Sequence, residues 1–232
     1  MALKIDHSCI NAAISKAEET TSGEITCIIK SKPLDYPETP LMWATATALI
    51  GPVIMALMGV WPQDWLIHLI PSAAIEWQSA HGQQEFYNRL ETIGLYGLVQ
   101  VILFAIVYGL VTIPKVRLAL TPGSIKRKRA HKKAMEQFMA RGLHLTKART
   151  GVMIFCALEE HFVDVIADEG IYSKVDHKVW DETVAALISH IKRDDLTGGF
   201  EAAVIKSGEV LSAHFPPDAV NLNELPDVLI EI

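Results

Sequence analysis

Thr150-Gly-Val-Met-Ile-Phe-Cys-Ala-Leu-Glu-Glu-His-Phe-Val-Asp-Val-Ile-Ala-Asp-Glu-Gly-Ile171 contains two apolar runs, Val152–Leu158 and Phe162–Ala167, separated by three polar residues. The first run is seven residues long and partly β-branched and aromatic, which predicts a strand covered on both faces. The second resumes in extended form after Glu159-Glu160-His161. Two such runs with so short a polar link predict an antiparallel hairpin.

Working downstream, Trp180, Val184, Leu187, Ile188 and Ile191 recur at helical spacing. A second stripe follows at Leu196, Phe200, Ala203, Val204 and Leu211, closed by Pro216-Pro217. The tail from Asn221 predicts a short edge strand at Val228–Ile232. Upstream, Met135, Phe138, Met139 and Gly142 mark one face of a basic helix from about Ser124 to Arg141. Near the start, Ile10, Ala13, Ile14 and Ala17 predict a short amphipathic helix that Gly23 can end. Glu24–Lys30 reads as a strand with Ile25, Cys27 and Ile29 on one face. A lone helix and strand cannot bury those faces, so they must pack on later elements. The simplest closure is one α/β sandwich.

That sandwich is expected to be interrupted. Leu41–Trp61 and Thr92–Ile113 contain no charged residue. At about 1.5 Å per residue, each can cross a hydrocarbon core of about 30 Å. Gly51-Pro52 and Gln100 fall inside these runs, where a neighbouring helix can satisfy a kink or an amide. Trp43, Trp61, Trp65 and Trp77 stand where interfacial anchors do. The connecting residues 62–91 hold one base against four acids, whereas the segment after the second run is rich in Lys and Arg. Positive charge stays cytoplasmic. The expectation is a multi-pass inner-membrane protein with two spans, an external loop at 62–91 and both termini in the cytoplasm. Trp65–Ile75 is apolar enough to lie on the outer surface, and His68 and His81 read as interfacial or solvated. The layout is thus 1–38 for the first helix and strand, 39–114 for the transmembrane hairpin, 115–149 for a basic juxtamembrane helix, and 150–232 for the rest of the domain.

Charge divides the chain the same way. Lys115–Arg149 carries 11 Lys and Arg against one acid, Glu136, while Thr150–Ile232 carries 16 acids against 5 bases. Lys126, Arg127, Lys128, Arg129, Lys132 and Lys133 therefore form a cationic segment suited to anionic lipid headgroups, at about 1 kcal/mol per well-placed base. The segment lacks interleaved aromatics, so nucleic acid is not expected as a partner. Cys9, Cys27 and Cys156 have no metal-like spacing and read as free thiols. Met1–Ser8 has no apolar core, so no cleavable signal peptide is expected.

The Thr150–Ile171 stretch resembles the core hairpin of the TPM-domain family. Gly23-Glu24-Ile25 after a helix resembles that family's first strand, and Ile188–Phe215, with a Phe-x-x-Ala step at Phe200, resembles its closing helices. The likeness covers roughly residues 5–32 and 125–215 and is closest to a bacterial membrane branch in which two spans interrupt the domain. It implies an α/β/α sandwich around a small mixed sheet. Members have been linked to acid phosphatase activity, calcium or magnesium binding, and repair or assembly of membrane complexes. This sequence departs from the family's pattern at two places. Glu159 and Glu160 stand where paired aspartates are common, and Asp168-Glu169-Gly170 replaces a Gly-x-Gly.

Paired carboxylates can hold a hard cation such as Ca²⁺ or Mg²⁺, or share acid–base work. Glu159 with Glu160 and Asp168 with Glu169 are the two candidate pairs. If 159–161 form the turn, the second pair lies about 23 Å away at 3.3 Å per residue, so the pairs cannot share a site. Asp194-Asp195 could add a ligand to either. His161 reads as a turn residue. Asp164, inside a strand, requires a solvated face or a basic partner. No phosphate-binding Gly-rich loop with Lys, Gly-x-Ser-x-Gly, His-Glu-x-x-His or Cys-x-x-Cys occurs. The expected function is a non-catalytic or weakly metal-binding module that interacts with another membrane protein. The alternative is a divalent-metal-dependent phosphatase.

Overall fold

A computed structural model describes residues 5–60, 84–217 and 223–232. The chain forms two compact units, Met1–Leu34 with Pro122–Ile232, and Asp35–Thr121.

The first unit is a mixed α/β fold. Its helix α1 (His7–Glu18) starts where the Asp6 carboxylate accepts the Ser8 and Cys9 amides, satisfying two donors that no helical carbonyl can reach. It stops at Glu18, so Gly23 does not end it. Gly23 instead admits a close approach: a β-carbon there would sit 3.0 Å from Leu211 and 3.3 Å from the Thr150 carbonyl. Strand β1 (Glu24–Lys30) is buried along nearly its whole length because it lies inside the sheet. β2 (Gly151–Ala157) and β3 (Phe162–Ala167) form the expected antiparallel hairpin, in register from Val152 opposite Ala167 to Ala157 opposite Phe162. β4 (Leu229–Glu231) is the short edge strand. The sheet order is β3-β2-β1-β4, with β1 parallel to both β2 and β4.

Helices cover both faces. Ile25, Cys27 and Ile29 share one core with Ile10 and Ile14 of α1, Leu187 of α7 (Trp180–Ile191) and Phe200 of α8 (Leu196–His214). On the other face, α5 (Gly123–Ala140) packs against β2 and β3. Its buried residues are Ala130, Ala134 and Phe138, an i, i+4, i+8 row whose small members let the helix approach the sheet. Met139 was expected on that face but is 52 % exposed, because it lies about 100° around the helix from Phe138. Gly142 lies past the helix end in the left-handed region, at φ 75°, where glycine is the usual stop. A 3₁₀ turn, Leu143–Leu145, then leads to β2. Gly151 is required there, since a β-carbon would strike the Leu143 carbonyl. α5 thus ends beside the start of β2 and begins near its far end, the end at which β1 also finishes, Lys30 opposite Ala157. Both points where the chain leaves this unit, Leu34 and Pro122, follow from that geometry to one end of the sheet.

The second unit consists of α2 (Glu38–Leu57), α3 (Gln84–Thr112) and α4 (Pro114–Leu120), with α2 packed on α3. Gly51 allows this contact, for a β-carbon there would lie 3.0 Å from Leu103. The Thr39 and Thr121 hydroxyls pair at 2.9 Å, the Trp43 indole donates to the Leu120 carbonyl at 3.2 Å, and Arg117 meets Asp35 at 3.5 Å. Two helical segments, Glu38–Leu57 and Ile93–Thr112, are long and apolar enough to cross a membrane by length and composition. Leu57 is 83 % exposed and Ile93 69 %. α3 begins eight residues inside the stretch expected to be a loop. Glu85, Arg89 and Glu91 interrupt the apolar pattern of the sequence but are compatible with a helix, so the apolar run marks a different boundary from the helical one. α2 ends at Leu57, short of the expected Trp61, with Gly59 in the left-handed region. The expectations for Trp61, Trp65, Trp77, His68, His81 and the 65–75 segment lie outside the described residues.

Candidate functional site

The hairpin turn, Leu158 to His161, places its acids apart. The His161 amide donates to the Leu158 carbonyl at 3.1 Å, and His161 takes the left-handed conformation, φ 51°, that closes the turn. Glu159 points to solvent. Glu160 is buried, and its carboxylate accepts the Leu34 amide at 2.7 Å. One member of this candidate pair thus anchors the chain where it leaves the unit, and the other stands apart from that anchor.

Asp168 and Glu169 lie at the opposite hairpin end, as the register requires. Asp168 is 4 % exposed and accepts Arg149 Nε at 2.7 Å, Arg149 Nη2 at 3.0 Å and the Glu169 amide at 2.8 Å. The last bond caps the one-turn helix α6 (Glu169–Tyr172). Exposed Glu169 reaches the same guanidinium at 3.5 Å. The two carboxylates therefore converge on a planar, five-donor cation supplied by the chain itself. Arg149 adopts a strained backbone to be there, at φ 57°, and Gly170 fits beneath it because a β-carbon would lie 2.7 Å from the Ala148 carbonyl. The glycine that this sequence keeps is a packing glycine.

Asp194 occupies a left-handed turn, φ 61°, between α7 and α8. Asp195 caps α8 by accepting the Gly198 amide at 2.9 Å and meets His190 Nδ1 at 2.9 Å. The His190 and Gly198 contacts hold the Asp195 carboxyl below the usual carboxylate range. Asp164 has the basic partner that its strand position demands, His131 Nδ1 of α5 at 2.6 Å. Among the described residues, no group of three or more His, Cys, Asp or Glu is placed to hold a metal.

The six bases sit between residues 126 and 133 of α5. Arg127, Lys128 and Lys132 are exposed, and Lys126, Arg129 and Lys133 are half-buried. At about 100° per residue, the four consecutive cations ring the second turn rather than share one face. Lys133 also meets Glu136 at 3.1 Å.

A further acidic group escaped the sequence reading. Glu18, at the end of α1, and Glu24, at the start of β1, line a cleft of about 310 Å³ with Asp227 and Asn223. Glu18 accepts the Ile25 amide at 2.7 Å, and Glu24 accepts the Glu224 and Leu225 amides, both at 3.2 Å. Burial pushes the Glu18 carboxyl up to about 9, with Glu24 and Asp227 adding to the shift. Burial also raises Glu24, against the pull of its two amide donors. The cluster clamps the C-terminal segment to the start of β1 and stores a proton at neutral pH. Its signal was present: Glu18 continues the Ile10, Ile14 row by one more i+4 step, an acid on an apolar stripe. Two thiols, Cys27 and Cys156, are buried, and burial pushes Cys156 up to about 12, so it is unreactive as a thiolate.

No protein-family model matches the chain, and no curated protein matches it. Among solved structures, the chain is similar to the NMR structure of the BA42 protein from the psychrophilic bacterium Bizionia argentinensis. The TM-score is 0.55 at 17 % identity, over 99 % of this chain and 96 % of that one, a likeness of fold.

Proposed function

We propose that this chain is a membrane-anchored, TPM-like α/β module that binds or helps assemble another membrane protein. The observation that carries the reading is the second unit. Its two long apolar helices leave large side chains such as Leu49, Leu57, Ile93 and Val101 exposed, in an insertion that both leaves and re-enters the first unit at one end of the sheet. Exposed apolar surface of that extent is costly in water and ordinary in lipid. The bases of α5 follow directly, which orients both termini to the cytoplasm. The acids of the first unit support an interaction role: Glu160 and Asp168 hold backbone and Arg149, rather than converging on an open site.

Native membranes, solubilised in mild detergent, are the material for the test. The full chain should resist carbonate extraction and co-purify in stoichiometric amount with an integral membrane protein. Turnover of a phosphomonoester with Mg²⁺ or Ca²⁺, abolished by the Glu159→Ala/Glu160→Ala double variant, would overturn the interaction reading. Recovery of the chain as a detergent-free monomer would overturn the anchored one.

A further inference from the structure

The end of the hairpin and the last turn of α7 enclose a cavity of about 200 Å³. Leu158 and Val163 form its sheet side, and Ile188 and Ile191 its helix side. His161 and Lys192 complete its lining, and no carboxylate is among the described lining residues. Three features make it more than a packing flaw. A cavity of about 150 Å³ already accommodates benzene, so this one holds a ring with substituents. An apolar wall with a few polar groups is the usual build of a small-ligand pocket. Finally, among the described residues, neither Lys192 Nζ nor the His161 ring is drawn into an ion pair elsewhere.

We infer that this cavity binds a compact apolar carboxylate: one aromatic ring or branched chain seated between Val163 and Ile188, with its carboxylate held by Lys192 and His161. Charge favours an anionic over a cationic ligand. Lys192 is the C-cap of α7, where the helix carbonyls carry partial negative charge. Those carbonyls, at about half a charge, favour an amine and oppose a carboxylate, but the full charge of the Lys192 ammonium acts in the opposite sense and outweighs them, and the imidazole N–H adds a donor for the carboxylate. The site is distinct from the candidate acid pairs, since Glu160 turns inward to Leu34 and Asp168 lies at the other hairpin end.

The test uses full-length protein in lipid nanodiscs and ¹⁹F NMR of three probes: 3-(4-fluorophenyl)propionate, the matched alcohol and the matched amine. The carboxylate should bind saturably and at least about fivefold tighter than the amine, the scale set by one exposed ionic attraction standing in place of one repulsion. Lys192→Glu, at a helix end, should weaken it by at least about fivefold. Val163→Phe should abolish it by filling the cavity, and Ile188→Trp fills the same space from the helix if V163F does not fold. Absence of saturable binding to the wild type would overturn the inference. So would binding that survives in the filled variant, which places the probe in lipid, and so would equal affinity for carboxylate and amine.

Discussion

Asp168→Asn would leave the Arg149 guanidinium facing a neutral amide, with the carboxylate that accepted from its Nε and Nη2 gone. A hydrogen bond to a charged group contributes about 1.5–3 kcal/mol, and that is the expected loss of stability, read as a lowered thermal midpoint of the full chain in detergent. Glu169→Gln, beside it, removes only an exposed 3.5 Å contact and should shift the midpoint negligibly. Glu18 acts in the opposite sense to most acids. Its folded carboxyl sits near 9 and its ordinary value near 4.5, so between those pH values the folded chain binds more protons than the unfolded one. The stability linked to Glu18 is fully present below about pH 4.5 and is lost as pH rises towards 9. At roughly 1.4 kcal/mol for each tenfold difference in proton affinity, the loss amounts to at most about 6 kcal/mol. Glu18→Gln should flatten that part of the profile, measured as midpoint against pH. An unchanged slope in the variant would show that the proton resides elsewhere in the cluster.

At the scale of the element, β4 is the most dependent piece. It is three residues long and pairs with one strand, and the Leu229 amide on its open side is held by Asn11 Oδ1 at 2.9 Å. Asn11→Ala removes that acceptor, worth about 1 kcal/mol, and should speed amide exchange at Leu229 about fivefold while β1 stays protected. The elements were legible in the sequence where a periodicity had a single cause. β1 is buried over nearly its whole length and β3 over its second half, and their limits match the residues read as strands. The α8 stripe from Leu196 to Leu211 is buried as expected. Legibility failed where tertiary contact overrode local pattern. Met139 looked like core by type, yet the buried row runs Ala130, Ala134, Phe138, and Met139 lies about 100° away from it around the helix. At the candidate acids, spacing showed that the two pairs lie apart. What each carboxylate touches depends on residues 19 and 126 positions away, Arg149 and Leu34, which no local pattern reports.

For the whole molecule, the division into two units makes a direct prediction. Replacing residues 35–121 by a short Gly/Ser linker should yield a folded monomer without detergent, because Leu34 and Pro122 leave the first unit at the same end of the sheet. Circular dichroism of mixed α/β type and a monomeric elution volume would support this, and aggregation would show that the units fold only together. The same excised form should bind vesicles containing anionic lipid at low salt. Replacing Lys126, Arg127, Lys128 and Arg129 with Gln should cost about 1 kcal/mol per base in contact, and a ring of charge implies that fewer than all four count. One further consequence concerns time. β1 pairs with β2 from Glu24 opposite Gly151 to Lys30 opposite Ala157, across all of the intervening chain. At about 5–20 residues per second, a ribosome makes the first strand roughly 6–24 s before its neighbour exists. Through that interval Ile25, Ile28 and Ile29 have no sheet to join, so a chaperone that shields a single greasy strand is most needed before the second half of this protein has been translated.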